Sequence, residues 1–311
     1  MEKQEILDQI DSLKKQYGEW SYDIPLPHGI WTKGNLQIPH TRLKRIVQLS
    51  KDLVGKPLSE CRVLDLGSLD GQFSIEFAMQ RAQVLGVEIR EASISKAIFC
   101  REVLGLKNLE FRQGDARDIS VATHGMFDII ICSGLLYHLT AGDAIALINK
   151  MHEMSNKLVI VDTHIALEPV HPYGKDGVSY HGVLQIEHDK KDEQSLKATR
   201  LWASWDNPES FWFTRPSLVN IFTKAGFSSV YECFAPAHVN FGKPGIEHKD
   251  RCTFVAVKGQ KITMMTSPVA TDFKEELPEH SLDYKAAPVS NAQGNASLLG
   301  RIKNKLKRIG G

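Results

Sequence analysis

The spacing of hydrophobic positions changes along the chain, and the changes divide it. Over residues 3–17, Ile6, Ile10, Leu13 and Tyr17 recur every three or four residues, which places them on one face of a helix. Residues 20–35, WSYDIPLPHGIWTKGN, are crowded with proline, glycine and aromatics and predict no regular element. A second amphipathic helix, Thr41 to Val54, carries Leu43, Ile46, Val47, Leu49 and Leu53 and ends before Pro57. These segments form an N-terminal cap over residues 1–56.

From residue 57 the pattern alternates. Apolar runs at 62–66, 83–89, 109–112, 127–132 and 157–162 predict strands, and 72–81, 91–104 and 141–154 predict helices between them. Strands that are apolar nearly throughout are buried on both faces, so the expected fold class is α/β, a Rossmann-like, doubly wound and mostly parallel sheet. The rhythm breaks after Asp162. Residues 165–214, with the charged run EHDKKDE and the aromatic run LWASWDNPESFWFT, read as a lid insertion. A helix at Arg215–Ala225 with Gly226 as its stop, then SSVYECFA and RCTFVAVK as an antiparallel pair, complete seven strands within a domain at 57–262. Residues 263–296 have the composition of a linker. Residues 297–311 set Leu298, Leu299, Ile302, Leu306 and Ile309 against Arg301, Lys303, Lys305, Lys307 and Arg308, the pattern of a basic amphipathic helix.

Composition narrows the partners. The 311 residues carry a formal net charge of +1, so any nucleic acid or membrane must be recognised locally rather than by a global field. Five scattered cysteines without C-x-x-C spacing point to a reduced state, and the charged N-terminus is neither a signal peptide nor a span. The expected location is the cytoplasm; 297–311 suit a peripheral place on the anionic inner membrane surface, and the same composition suits RNA phosphates or a docking partner, with a solvated tail as the plain alternative.

The candidate chemistry begins at RVLDLGSLDGQFS, residues 62–74. A dinucleotide loop needs G-x-G-x-x-G, but Leu69 stands where its second glycine would be, and the G-x-x-x-x-G-K-[ST] phosphate loop is absent. What remains is a turn at Gly67 and Gly71 with Asp65 and Asp70 and no basic side chain for phosphate. That suits a ligand with cationic groups and a ribose diol. Glu88 ends the second strand, where an acid accepts from a ribose diol, and Gly114-Asp115-Ala116 follows the third. Asp65 or Gly71 alone would equally shape a strand-to-helix turn; the constellation carries the reading.

VLDLGSLDG (63–71), GVEI (86–89), QGDAR (113–117) and FDIIICSGLLYHL (127–139) together resemble the class I S-adenosylmethionine-dependent methyltransferases over about residues 60–260. The resemblance implies S-adenosylmethionine as cofactor, held by Asp65, Gly67, Ser68, Asp70, Gly71, Glu88, Asp115, Ala116 and Ser133. The loop departs from the family's D-x-G-x-G-x-G, reading D-x-G-S-L-D-G.

Acceptor chemistry is less defined. The N-P-P-Y motif of base-amine methyltransferases is replaced by CSGLLYHL, which favours O-methylation of a small-molecule, sugar or lipid-linked acceptor. His138 is the first candidate base and His164 the second, because both follow strand ends; a backbone-bonded histidine is the plain alternative for each. Asp162, His164, His171, His181 and His188 lack the tight spacing of a transition-metal site, so no metal is expected. Trp202, Trp205, Phe211, Trp212 and Phe213 read as lid packing rather than a stacking platform. GLLYHL with FWFTRPSLVNIFTKAGF is also similar to the tRNA wobble-uridine methyltransferase and carboxymethyltransferase group, which makes RNA modification the runner-up. The rival from another class is a non-catalytic, cofactor-binding scaffold of the same fold.

Overall fold

A computed structural model describes residues 1–34, 41–233 and 250–259. The cap comprises helix α1 (Lys3–Tyr17), strands β1 (Pro25–Leu26) and β2 (Ile30–Trp31), and helix α2 (Thr41–Leu53). There follow β3 (Arg62–Leu66), α3 (Gln72–Met79), β4 (Gln83–Glu88), α4 (Glu91–Val103), β5 (Leu109–Gln113) and α5 (Val121–His124). β6 (Phe127–Ser133), α6 (Ala141–Met154) and β7 (Ser155–His164) lead into β8 (His171–Lys175), β9 (Val178–Ile186), α7 (Gln194–Thr199) and β10 (Glu209–Phe213). Helix α8 (Arg215–Ala225), β11 (Ser229–Cys233) and β12 (Arg251–Val257) close the order. The expected linker and basic helix at 263–311 lie outside the described residues.

The main sheet has the order β11-β12-β7-β6-β3-β4-β5, with β3 to β7 mutually parallel and β12 antiparallel to both its neighbours. Both faces are buried. Val63, Ile129, Ile131 and Ile160 pack with Ile46, Phe77 and Trp20 on the cap side. Leu64, Ile130, Val159 and Val161 pack with Ile148, Met151 and Phe222 on the other. Adjacent residues of each strand therefore serve opposite cores, which is why the strands read as unbroken apolar runs. The strand order reverses at β3, between β4 on one side and β6 on the other, and ligands of such sheets bind at the carboxyl ends beside that switch.

Two segments differ from the sequence expectation. The lid contains a three-stranded antiparallel sheet, β10-β9-β8, rather than loops alone. Its hairpin turns on Asp176-Gly177, both at positive φ (51° and 75°), the turn chemistry that matches strand twist. Phe211 and Phe213 of β10 enter the main core, and Phe211 N–H donates to Leu139 O at 2.9 Å, so the insertion is fastened to the domain. The segment predicted as irregular in the cap holds the short β1/β2 hairpin, and Trp20 beside it is 1% exposed.

Candidate active site

A cavity of about 280 Å³ opens at the carboxyl edge of the parallel strands. Its walls are Gly67 and Leu69 after β3, Glu88 and Arg90 after β4, Gly114 to Arg117 after β5, and Ser133 to Leu139 after β6. The cap adds Tyr22 and Arg42, β12 adds Arg251, and Leu201 to Asp206 form the roof.

Glu88 is 4% exposed, and its carboxylate accepts from Leu69 N at 3.0 Å and Arg90 N at 2.8 Å. Burial pushes its pKa above the ordinary glutamate value. With roughly four acceptor sites on a carboxylate, it retains capacity for hydroxyl donors in the cavity. Leu69 has φ +47°, so it keeps the left-handed backbone of the missing glycine and turns its N–H onto Glu88. Gly67, at φ +68°, is tied by its N–H to Val87 O at 2.9 Å. Ser133 Oγ is buried with no hydrogen-bond partner among the described residues. Asp115 lines the wall with Ala116, and its carboxylate accepts from Arg117 N at 2.8 Å and Arg117 Nη2 at 2.6 Å.

The other predicted cofactor residues build the loop instead of facing the cavity. Asp65 accepts from Ser74 N at 3.1 Å and Ser74 Oγ at 2.6 Å, and burial pushes its pKa up to about 6. Asp70 accepts from the backbone N–H groups of Ser21 and Tyr22, so it clamps the cap. Gly71, at φ +87°, is the N-cap of α3, and Ser68 is 2% exposed outside the cavity wall.

His138 lines the cavity and its Nδ1 lies 3.0 and 3.1 Å from the two oxygens of Glu187. A carboxylate only accepts, so Nδ1 carries the proton and Nε2 is the basic nitrogen. Glu187 also accepts from Ser210 Oγ at 2.6 Å and Ser204 N at 2.8 Å. Burial alone would raise its pKa; the bonds from His138, Ser210 and Ser204 outweigh this and hold the carboxyl below its ordinary value. His164 is placed differently. It is absent from the cavity wall, bonds Asp250 through Nδ1 at 3.1 Å, and stacks on Trp212 with ring centroids 4.6 Å apart.

Beside Tyr137, the buried Asp162 accepts from Arg251 Nε at 2.8 Å and Thr253 Oγ1 at 2.7 Å, with Arg42 at 3.5 Å and Arg45 at 3.8 Å. Burial opposes ionisation there, but Arg251 and Arg42 dominate and depress its pKa. Arg251 lies 5.2 Å over the Tyr137 ring. Among the described residues no group of three His, Cys, Asp or Glu side chains is arranged to hold a metal ion.

Sequence reasoning did not single out Glu187, Arg42, Arg90, Arg117 or Arg251. Glu187 was hidden in EHDKKDE, where it reads as one more solvated charge. The one available signal was its place directly after the period-2 run of β9.

Residues 57–200 match the family model described as "Methyltransferase domain". The tRNA U34 carboxymethyltransferase of Desulforapulum autotrophicum is 33% identical over 98 residues, 31% of this chain and 29% of that protein. The ubiquinone biosynthesis O-methyltransferase of Acinetobacter baylyi is 30% identical over 103 residues, 33% of this chain and 41% of that protein. The chain thus spans less than half the length of either curated relative. The crystal structure of the N-terminal domain of EvdMO1, in the presence of SAH and D-fucose, superposes with a TM-score of 0.61 at 24% identity, over 83% of this chain and 97% of that one. At that identity the likeness establishes the shared fold. The switch-point cavity with the buried Glu88 carboxylate in its wall agrees with the family match: residues 57–200 carry a methyltransferase domain of the class that uses S-adenosylmethionine.

Proposed function

We propose that this chain transfers a methyl group from S-adenosylmethionine to a hydroxyl of a small-molecule or saccharide acceptor, with His138 as the general base. The observation that carries the reading is the His138–Glu187 pair in the wall of the same cavity that Glu88 enters. The cofactor, when bound, supplies a methyl group on a sulfonium. Gly67, Glu88, Asp115, Ala116 and Ser133 would hold it, the carboxylate of Glu88 receiving the ribose hydroxyls. His138 Nε2 takes the acceptor proton while Glu187 holds the ring and balances the imidazolium. The roof from Leu201 to Asp206 keeps water from the reacting atoms. Similarity to an O-methyltransferase supports transfer to oxygen.

Calorimetry with S-adenosylhomocysteine tests the cofactor half. Glu88→Gln should weaken binding by roughly 10- to 100-fold, the range for removing a charged hydrogen-bond acceptor. Labelled cofactor incubated with fractionated small-molecule, lipid and RNA extracts tests the acceptor half, and His138→Gln should abolish the labelling without abolishing binding. Binding with no labelled acceptor would favour the scaffold reading.

A second reading is favoured by one observation. Arg42 and Arg251 both line the cavity, which suits an acceptor bearing acidic groups. With the similarity to a tRNA U34 carboxymethyltransferase, that supports a modified RNA as the alternative acceptor. Residues 297–311 bear on the same choice through their sequence, five Lys/Arg against an apolar stripe. Ending the chain at residue 262 should abolish binding to anionic liposomes; unchanged binding sinks the membrane assignment.

A further inference from the structure

The roof of the cavity is anchored to both of its halves. On the cofactor side, Arg90 is 7% exposed and its guanidinium donates to Ala198 O at 2.6 Å, Ala203 O at 2.9 Å and Arg200 O at 3.1 Å. It also lies 5.3 Å over the Trp205 ring, and its own N–H is held by Glu88. On the acceptor side the same segment donates Ser204 N–H to Glu187 at 2.8 Å, and Asn207 Nδ2 donates to His138 O at 3.1 Å. Asp206, between them, accepts from Arg117 Nη2 at 2.6 Å, the guanidinium that also holds Asp115.

We infer that Arg90 is a positioning residue for His138, acting through the 198–206 segment and the bond from Ser204 N–H to Glu187. The inference rests on the proposed role of His138 and names what sets its geometry. Glu187 receives three donors: the imidazole, Ser210 and Ser204. Charge-assisted bonds of this kind are short and directional, so releasing Ser204 lets the carboxylate turn and the imidazole lose its fixed tautomer and orientation. Ser204 O accepts from His188 Nε2 at 2.7 Å, and the segment on either side of it is held by the fork of Arg90, which meets several carbonyls at once. A lysine ammonium has the charge but not the geometry. The path starts at Glu88, so occupation of the ribose position and alignment of the base share one set of contacts.

The imidazole itself reports the outcome. Nitrogen and proton NMR of histidine-labelled protein, assigned with His138→Gln, reads the Nδ1–H tautomer of His138 and its low-field proton bonded to Glu187. Glu187→Gln should remove that proton signal. Arg90→Lys should broaden or shift it upfield and lower kcat roughly tenfold, a fraction of the 10²–10⁴ that a positioned base supplies, while the KM for acceptor changes less than threefold. Asp206→Asn, a milder change that loosens the same segment, should move the signal in the same direction by less, and it serves if Arg90→Lys fails to fold. An unchanged His138 signal in a folded Arg90→Lys or Asp206→Asn protein overturns the inference. The signal is read without turnover. Failure of wild-type protein to bind S-adenosylhomocysteine would therefore count against the proposed function alone.

Discussion

Asp65 and Glu88 stand on adjacent strands and are both buried, yet only one of them faces the cavity. Asp65 spends its carboxylate on Ser74 and braces the start of α3. Its folded pKa of about 6 lies above the ordinary 3.8, so the native state binds this proton more tightly than the unfolded chain. The associated stability is fully present below pH ~4 and is lost as pH rises through about 6. Two pKa units correspond to about 3 kcal/mol. Asp65→Asn should flatten the fall in urea midpoint between pH 4 and 6, and an unaltered slope would show that another group carries it. In sequence Asp65 reads equally as a cofactor acid and as a shaper of the strand-to-helix turn; the choice was not legible, because the direction of a carboxylate on a strand end depends on which helix packs over it.

At the scale of elements, the loop between β3 and α3 works through its backbone. Gly71 has φ +87°, and a Cβ there would sit 2.7 Å from Phe111 Cζ and 3.1 Å from Ala97 Cβ. Gly71→Ala combines a strained conformation with overpacking and should lower unfolding free energy by roughly 2–4 kcal/mol in denaturant titration. Asp70 ties this loop to the cap and lies outside the cavity wall, and Lys96 Nζ reinforces the joint by donating to Glu19 O at 2.7 Å. Asp70→Asn should therefore speed amide exchange in residues 18–24, with S-adenosylhomocysteine affinity changed less than that caused by Glu88→Gln. Equal losses of affinity would return Asp70 to the cofactor shell. The helix and strand assignments were readable to within a few residues because period and caps are local: Thr214 caps α8 and Gly226, at φ +105°, ends it. The lid sheet was hard to read because β8, HPYGK, has no apolar alternation to pair with the period-2 run of β9, and the Asp176-Gly177 turn between them is the one local hairpin signal.

At the scale of the molecule, Asp162 joins the cap, the sheet and the acceptor side of the cavity. Arg42 reaches it from α2, Arg251 and Thr253 from β12. Its depressed pKa means the stability it contributes is present above the ordinary carboxylate range and lost as pH falls through the folded value. Asp162→Asn removes the buried carboxylate that Arg251 and Arg42 share and should destabilise by roughly 3–5 kcal/mol, seen as a lower melting temperature at neutral pH; a loss under 1 kcal/mol would show that the other partners of the arginines suffice. Among the described residues no helix is long and apolar enough to cross a membrane.

The sequence by itself determined the α/β class, the turn after β3 and the acidic residue at the end of β4, because each is written in neighbouring residues: a period, a glycine position, a strand terminus. Only the tertiary structure decided which carboxylates face the cavity and which partners serve the candidate base. Glu187 is 49 positions from His138, and Arg251 is 89 from Asp162. Contacts over such separations are set by strand order and by how the lid folds back across the carboxyl edge, and no local pattern encodes either one.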